Sequence, residues 1–112
     1  MAGQLFEFVA IIPDKTDDGA VDRRLAVREA HLANVKKLFA EKVITSGGAF
    51  LDDPIVQGVR PTFKGSIVSF SAESKEAVEA ILKQDPYAEN DVWDFSKVQI
   101  YNFAVAVRQA KE

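Results

Sequence analysis

Leu5-Phe6-Glu7-Phe8-Val9-Ala10-Ile11-Ile12 is rich in Phe, Val and Ile and reads as a strand. Alternation places Phe6, Phe8, Ala10 and Ile12 on one side and Leu5, Val9 and Ile11 on the other. Both sides are apolar. A last strand, beginning near Lys97 and running through Gln99 to Val107, repeats the pattern. It offers Val98, Ile100, Ala104 and Ala106 to one side and Tyr101, Phe103, Val105 and Val107 to the other. A sheet wetted on one face alternates apolar with polar residues. These strands do not, so both of their faces call for cover.

Between them the chain alternates helix and strand signals. Pro13 to Gly19 is a polar turn segment. A helix is expected from about Val21 to Glu41, with a stripe of Val21, Leu25, Arg28, Leu32, Val35 and Phe39 in alternating steps of four and three. Arg23 and Arg24 are read as solvated. Val43 to Phe50 reads as a second strand containing Gly47-Gly48, Leu51 to Phe63 as a loop, and Lys64 to Phe70 as a third strand. Ser74 caps a second helix, Lys75 to Gln84, with Val78, Ile81 and Leu82 facing inward. Asp85-Pro86 breaks it, because a residue before proline is pushed out of the α region. A short helical turn then runs to Asn90. The order β-α-β-β-α-β predicts a ferredoxin-like α+β fold, one antiparallel sheet with both helices on one face. Two helices on one face leave the other face bare. A second copy of the chain, sheet packed on sheet, is the economical cover and predicts a homodimer or higher homo-oligomer.

Bulk properties narrow the function. The 112 residues are expected to form a single domain, 1–112, with 47% hydrophobic content and a net charge of −3. Scattered charges without a basic patch argue against nucleic acid as the partner. With no cysteine and one histidine, neither thiol chemistry nor a multi-His or thiolate metal site fits within one chain. No stretch resembles a membrane span or a signal peptide, so a cytoplasmic protein is the default reading. The chemistry considered below requires no cofactor.

His31 is the sole histidine, in Arg23-Arg24-Leu25-Ala26-Val27-Arg28-Glu29-Ala30-His31-Leu32. Histidine suits proton transfer near neutrality, and an acidic partner fixes its tautomer. On the expected stripe it falls on the shoulder. Asp85 is an N-cap followed by a helical proline, yet it also trails a helix C-terminus, where a negative charge is disfavoured. One carboxylate has oxygens enough to cap and to meet His31. Arg28, polar within an apolar stripe, either holds a substrate carboxylate or pairs with Asp14, Asp17 or Asp18. Tyr87 packs on the core or turns its hydroxyl to a cleft. Ser66 lacks a nucleophile-elbow context and is a substrate contact rather than a nucleophile.

Arg24 to Leu32, Asp85-Pro86-Tyr87, Gly65-Ser66 and Ser46-Gly47-Gly48, in that spacing, resemble the YCII-related (YciI-like) domain family. The resemblance covers about Asp14 to Val98. It implies a dimeric α+β barrel with a His/Asp site, carried by position onto His31 and Asp85. Where the family often has proline, this chain has Glu29. Broader relatives of the barrel include muconolactone-isomerase-like and dehydrochlorinase-like enzymes. The expectation is a lyase or isomerase acting on a small, anionic or ring-derived molecule. His31 and Asp85 are the catalytic candidates; Arg28, Tyr87 and Ser66 are the substrate-binding ones. The alternative is a non-catalytic binding or structural domain, which would bury His31 or leave it on an open surface.

Overall fold

The computed structural model describes residues 3–108. Its elements are β1 (Phe6–Pro13), α1 (Ala20–Ala26), α2 (Arg28–Ala40), β2 (Ile44–Leu51), β3 (Phe63–Ala72), α3 (Lys75–Lys83), α4 (Pro86–Glu89), a 3-10 turn (Phe95–Lys97) and β4 (Gln99–Asn102). The strands form one four-stranded sheet in the order β2-β3-β1-β4, and every neighbouring pair is antiparallel. The ferredoxin-like α+β expectation holds.

Alternation on β1 buries Phe8, Ala10 and Ile12. Register sets Phe8 against Phe70 and Ala10 against Val68, so β3 buries Val68, Phe70 and Ala72 on the same face. Val78 and Leu82 of α3 close over them with Tyr87, Val92 and Trp93. Ser74 Oγ accepts from Ala77 N at 3.1 Å and starts α3 as expected. Gly65 is obligatory: a Cβ there would lie 2.4 Å from the Ile12 carbonyl oxygen and 2.6 Å from the Phe50 ring.

Three details differ from the sequence reading. The single helix Val21 to Glu41 is two helices, broken at Val27 (φ −112°, ψ 12°). Glu29 then falls in the first turn of α2, where a carboxylate suits the helix dipole. The inward stripe also shifts: Arg24 and His31 are buried and Val27, Asn34, Val35 and Leu38 half-buried, while Leu25 and Phe39 are exposed. His31 is therefore buried, at 8% exposed, rather than on the shoulder, yet it still borders a cavity. Finally, β4 ends at Asn102 instead of Val107. It pairs Phe8 to Ile11 of β1, and after the Phe103 N–H to Glu7 carbonyl bond little of β1 remains to pair with. The chain leaves the edge, and Arg108 reaches Glu7 and Thr45.

The face of the sheet away from the helices carries half-buried Val9 and Ile11, with Ile67, Tyr101 and Phe103 exposed at 42%, 48% and 43%. Among the described residues no helix is long and apolar enough to cross a membrane.

Candidate functional site

The site lies where α1 and α2 cross the β2–β3 side of the sheet. A cavity of about 440 Å³ opens there, and its wall includes Arg24, Arg28, His31, Ser66, Tyr87 and Gly48. No atom stands within 4 Å of where a Gly48 Cβ would sit. The β2–β3 loop adds Ile55 to the wall.

Asp85 is the hinge of the arrangement. Proline at the first position of α4 and the extended backbone of Asp85 place its carboxylate at the helix start. Oδ2 accepts from Tyr87 N at 2.9 Å, the capping bond. The same oxygen lies 2.7 Å from His31 Nδ1, and Oδ1 accepts from Asn34 Nδ2 at 2.9 Å. Buried carboxylates need such donors, and here each oxygen has at least one. Facing an acceptor-only carboxylate, Nδ1 carries the hydrogen. Nε2 of a neutral imidazole is then a lone-pair acceptor. It has no hydrogen-bond partner among the described residues and is not sealed from solvent. His31 stacks on the Tyr87 ring at 3.7 Å and 10°, with Trp93 edge-on at 5.8 Å. Stacking on one face and the Trp93 contact at the edge of the stacked pair hold the imidazole in one orientation.

Beside this pair runs a second buried network. Arg24 Nη1 donates to both Asp14 oxygens at 2.8 Å, and Arg24 Nη2 donates to Ser66 Oγ at 3.2 Å. Trp93 Nε1 donates to the same hydroxyl at 3.2 Å. The guanidinium lies 4.6 Å from the ring centroids of both Phe63 and Tyr87. Arg24 is 3% exposed, which corrects its reading as solvated. Burial pushes the Asp14 carboxyl above its ordinary value, opposed by the adjoining Arg24 guanidinium and then by His31. Burial likewise raises the Tyr87 phenol, so its hydroxyl stays protonated at neutral pH.

Every candidate residue lies at this one place, though on different elements. Arg28 is exposed, lines the cavity and has no ion pair among the described residues. Of the acids it was weighed against, Asp14 is engaged by Arg24 and Asp17 by Arg23, and Asp18 pairs with none of the described residues. Sequence reasoning missed Arg24, Asp14, Asn34 and Trp93. Arg24 and Asn34 do stand seven before and three after His31, on one helical face. Nothing local ties Asp14 or Trp93 to them. Among the described residues no group of three or more His, Cys, Asp or Glu side chains converges to hold a metal ion.

Residues 7–104 match the family described as the YCII-related domain. The chain is 31% identical to aspercryptin biosynthesis cluster protein B of Emericella nidulans, over 92% of this chain and 65% of that protein. It thus spans about two thirds of that relative's length. It is 34% identical to protein YciI of Escherichia coli, over 82% of this chain and 92% of that protein. A solved structure of similar fold is 5-chloro-2-hydroxyhydroquinone dehydrochlorinase from Burkholderia phenoliruptrix, in complex with 2,5-dihydroxybenzoquinone. It has a TM-score of 0.71 and 22% identity, over 88% of this chain and 93% of that one.

Proposed function

The chain belongs to the YCII-related domain family, and on that premise we propose a small-molecule enzyme of lyase or isomerase type. His31 is the proton acceptor and donor, Asp85 orients it, and Arg28 holds an anionic group of the substrate. Tyr87 and Ser66 contact the substrate from the cavity wall. The observation that carries this reading is the 2.7 Å contact of His31 Nδ1 with Asp85 Oδ2, with His31 itself in the wall of a cavity of about 440 Å³. Nε2 makes no hydrogen bond among the described residues and is not sealed from solvent. A general base needs its lone pair within reach of substrate and its far nitrogen held. The dehydrochlorinase of similar fold binds a ring-derived quinone, and the Emericella relative is named for a biosynthetic cluster; both support a small organic substrate.

The unsatisfied apolar patch of Val9, Ile11, Ile67, Tyr101 and Phe103 supports a homodimer built face to face on the sheet. Such an interface would bury on the order of 2,000 Å² in total. Sedimentation should find a dimer at micromolar concentration, and a stable monomer would reject it.

Turnover is tested with a panel of lactones and halogenated ring-derived acids. His31→Gln should abolish turnover of any active compound while the protein stays folded. Asp85→Asn should lower it while keeping a capping oxygen. Arg28→Ala should chiefly raise KM for an anionic substrate. If compounds bind and raise the melting temperature but none is turned over, the protein is a binding module instead.

A further inference from the structure

Ser66 is 2% exposed, and both hydrogen bonds of its side chain are accepted by its oxygen. A hydroxyl has one hydrogen to give and two lone pairs to receive. Arg24 Nη2 takes one lone pair and Trp93 Nε1 the other, each at 3.2 Å. A guanidinium and an indole N–H cannot accept in return. The Ser66 hydrogen therefore points at neither of them, and none of the described residues accepts it. Ser66 stands in the cavity wall with His31. The arrangement is held at a cost, since Arg24 Nε is buried without a partner. Asp14 grips the other end of the guanidinium and keeps it from turning to better bonds.

We propose that Ser66 is a fixed hydroxyl donor aimed into the cavity, and that the site takes a carbonyl compound bearing an acidic hydrogen on the adjacent carbon. Proton transfer to His31 breaks that C–H bond. Its electron pair forms a C=C bond, and the carbonyl π pair moves onto oxygen. The Ser66 O–H then holds the enolate oxygen. The proton later returns to carbon or to a leaving group from His31 Nε2. The two donors on the Ser66 oxygen polarise its O–H and make it a stronger donor. Donors set in place beforehand, where charge develops, are a large source of transition-state stabilisation. Arg24 and Trp93 are positioning residues in this scheme. The proposal rests on the reading of His31 as the proton-transfer group.

The probe is 4-nitrophenol, whose phenolate oxygen stands in for the enolate oxygen and whose ionisation is visible in its absorption. At mildly acidic pH, where the free probe is largely protonated, wild-type protein should bind it and develop the phenolate band. Ser66→Ala should weaken phenolate binding by about tenfold or more, the worth of a hydrogen bond to a charged group. Trp93→Phe frees a lone pair and lets the hydroxyl turn, so it should show a smaller loss in the same direction. It also carries the test if Ser66→Ala does not fold. His31→Gln should lose the band through loss of the proton acceptor. If Ser66→Ala and Trp93→Phe keep wild-type band and affinity while His31→Gln loses the band, the Ser66 proposal falls and the His31 reading stands. If wild type shows no phenolate band, or His31→Gln leaves it unchanged, the His31 reading falls and takes the proposal with it.

Discussion

The two helical flanks of the sheet are built on opposite principles. Under α3 the contact is apolar: Val78 and Leu82 are its buried residues, set among Phe70, Ala72 and Phe8. Under α1 and α2 the fully buried contact is mostly polar, beside half-buried Val27, Val35 and Leu38. Apart from Ala20, the buried residues of those helices are Arg24 and His31, which meet Asp14, Ser66 and Asp85. The first flank gains stability from area removed from water. The second removes charges from water, a cost that pairing offsets only when geometry and hydrogen bonding are good. One flank therefore carries the stability and the other carries polar groups preset around a cavity.

The contrast breaks most sharply at Arg24. Arg24→Ala leaves Asp14 buried without its cation and should destabilise by about 3–5 kcal/mol, measured by denaturant unfolding. Replacing both partners by apolar residues of similar volume, Asp14→Leu with Arg24→Met, should recover most of that loss or exceed wild-type stability. A double variant as unstable as the single one would show that the pair is a net source of stability.

The apolar flank should answer differently. Leu82→Ala should cost about 2–5 kcal/mol through lost transfer energy and the cavity it leaves. Because no charge is involved, its cost should be the same at pH 4 as at pH 7. Arg24→Ala should not behave so. The Asp14 carboxyl is raised in the folded protein, so the native state holds its proton more tightly than the unfolded chain. Stability tied to this group falls as pH rises from the unfolded value toward the folded one. Removing Arg24 takes away an interaction that lowers the Asp14 value, so that window extends upward. The cost of Arg24→Ala should therefore be larger at pH 7 than at pH 4. Equal costs at both values would mean that Arg24 does not lower the Asp14 carboxyl in the folded protein.

The smallest effect is expected at the surface. Arg60 and Asp22 pair at 2.7 Å with both side chains open to water. Arg60→Ala should change stability by less than about 1 kcal/mol and lose even that in high salt. A larger change would mean that the β2–β3 loop contributes to folding in a way its exposure does not suggest.

Much of the architecture could be read along the chain. The strand order follows from the element order, and Ser74 and Asp85 announce the starts of α3 and α4 by cap chemistry. The face of α2 could not be read. Periodicity set Leu32, Val35 and Phe39 on the inward stripe, but Phe39 is exposed and the helix is turned so that its inward face centres on His31, Asn34, Val35 and Leu38. The residues that do turn inward include Arg24, His31 and Asn34, types that read as solvent-facing. His31 and Asp85 stood out as candidates by their chemistry and by the family pattern. Trp93 and Asn34, which brace the same place, have no such signature.

By itself the sequence determined the succession of strands and helices, because alternation, caps and turn residues act over a few neighbours. It also determined that the second face of the sheet carries apolar residues, since β1 sets Val9 and Ile11 opposite Phe8, Ala10 and Ile12 within its own eight residues, although Glu7, Ser69 and Gln99 share that face. Only the tertiary structure decided which polar side chains meet. His31 and Asp85 are 54 residues apart, and Arg24 and Ser66 are 42 apart. Their distances depend on how α1 and α2, on either side of the break at Val27, seat against β3 and α4. A buried hydrogen bond is a property of two elements packed together, and no local pattern on either one records its partner.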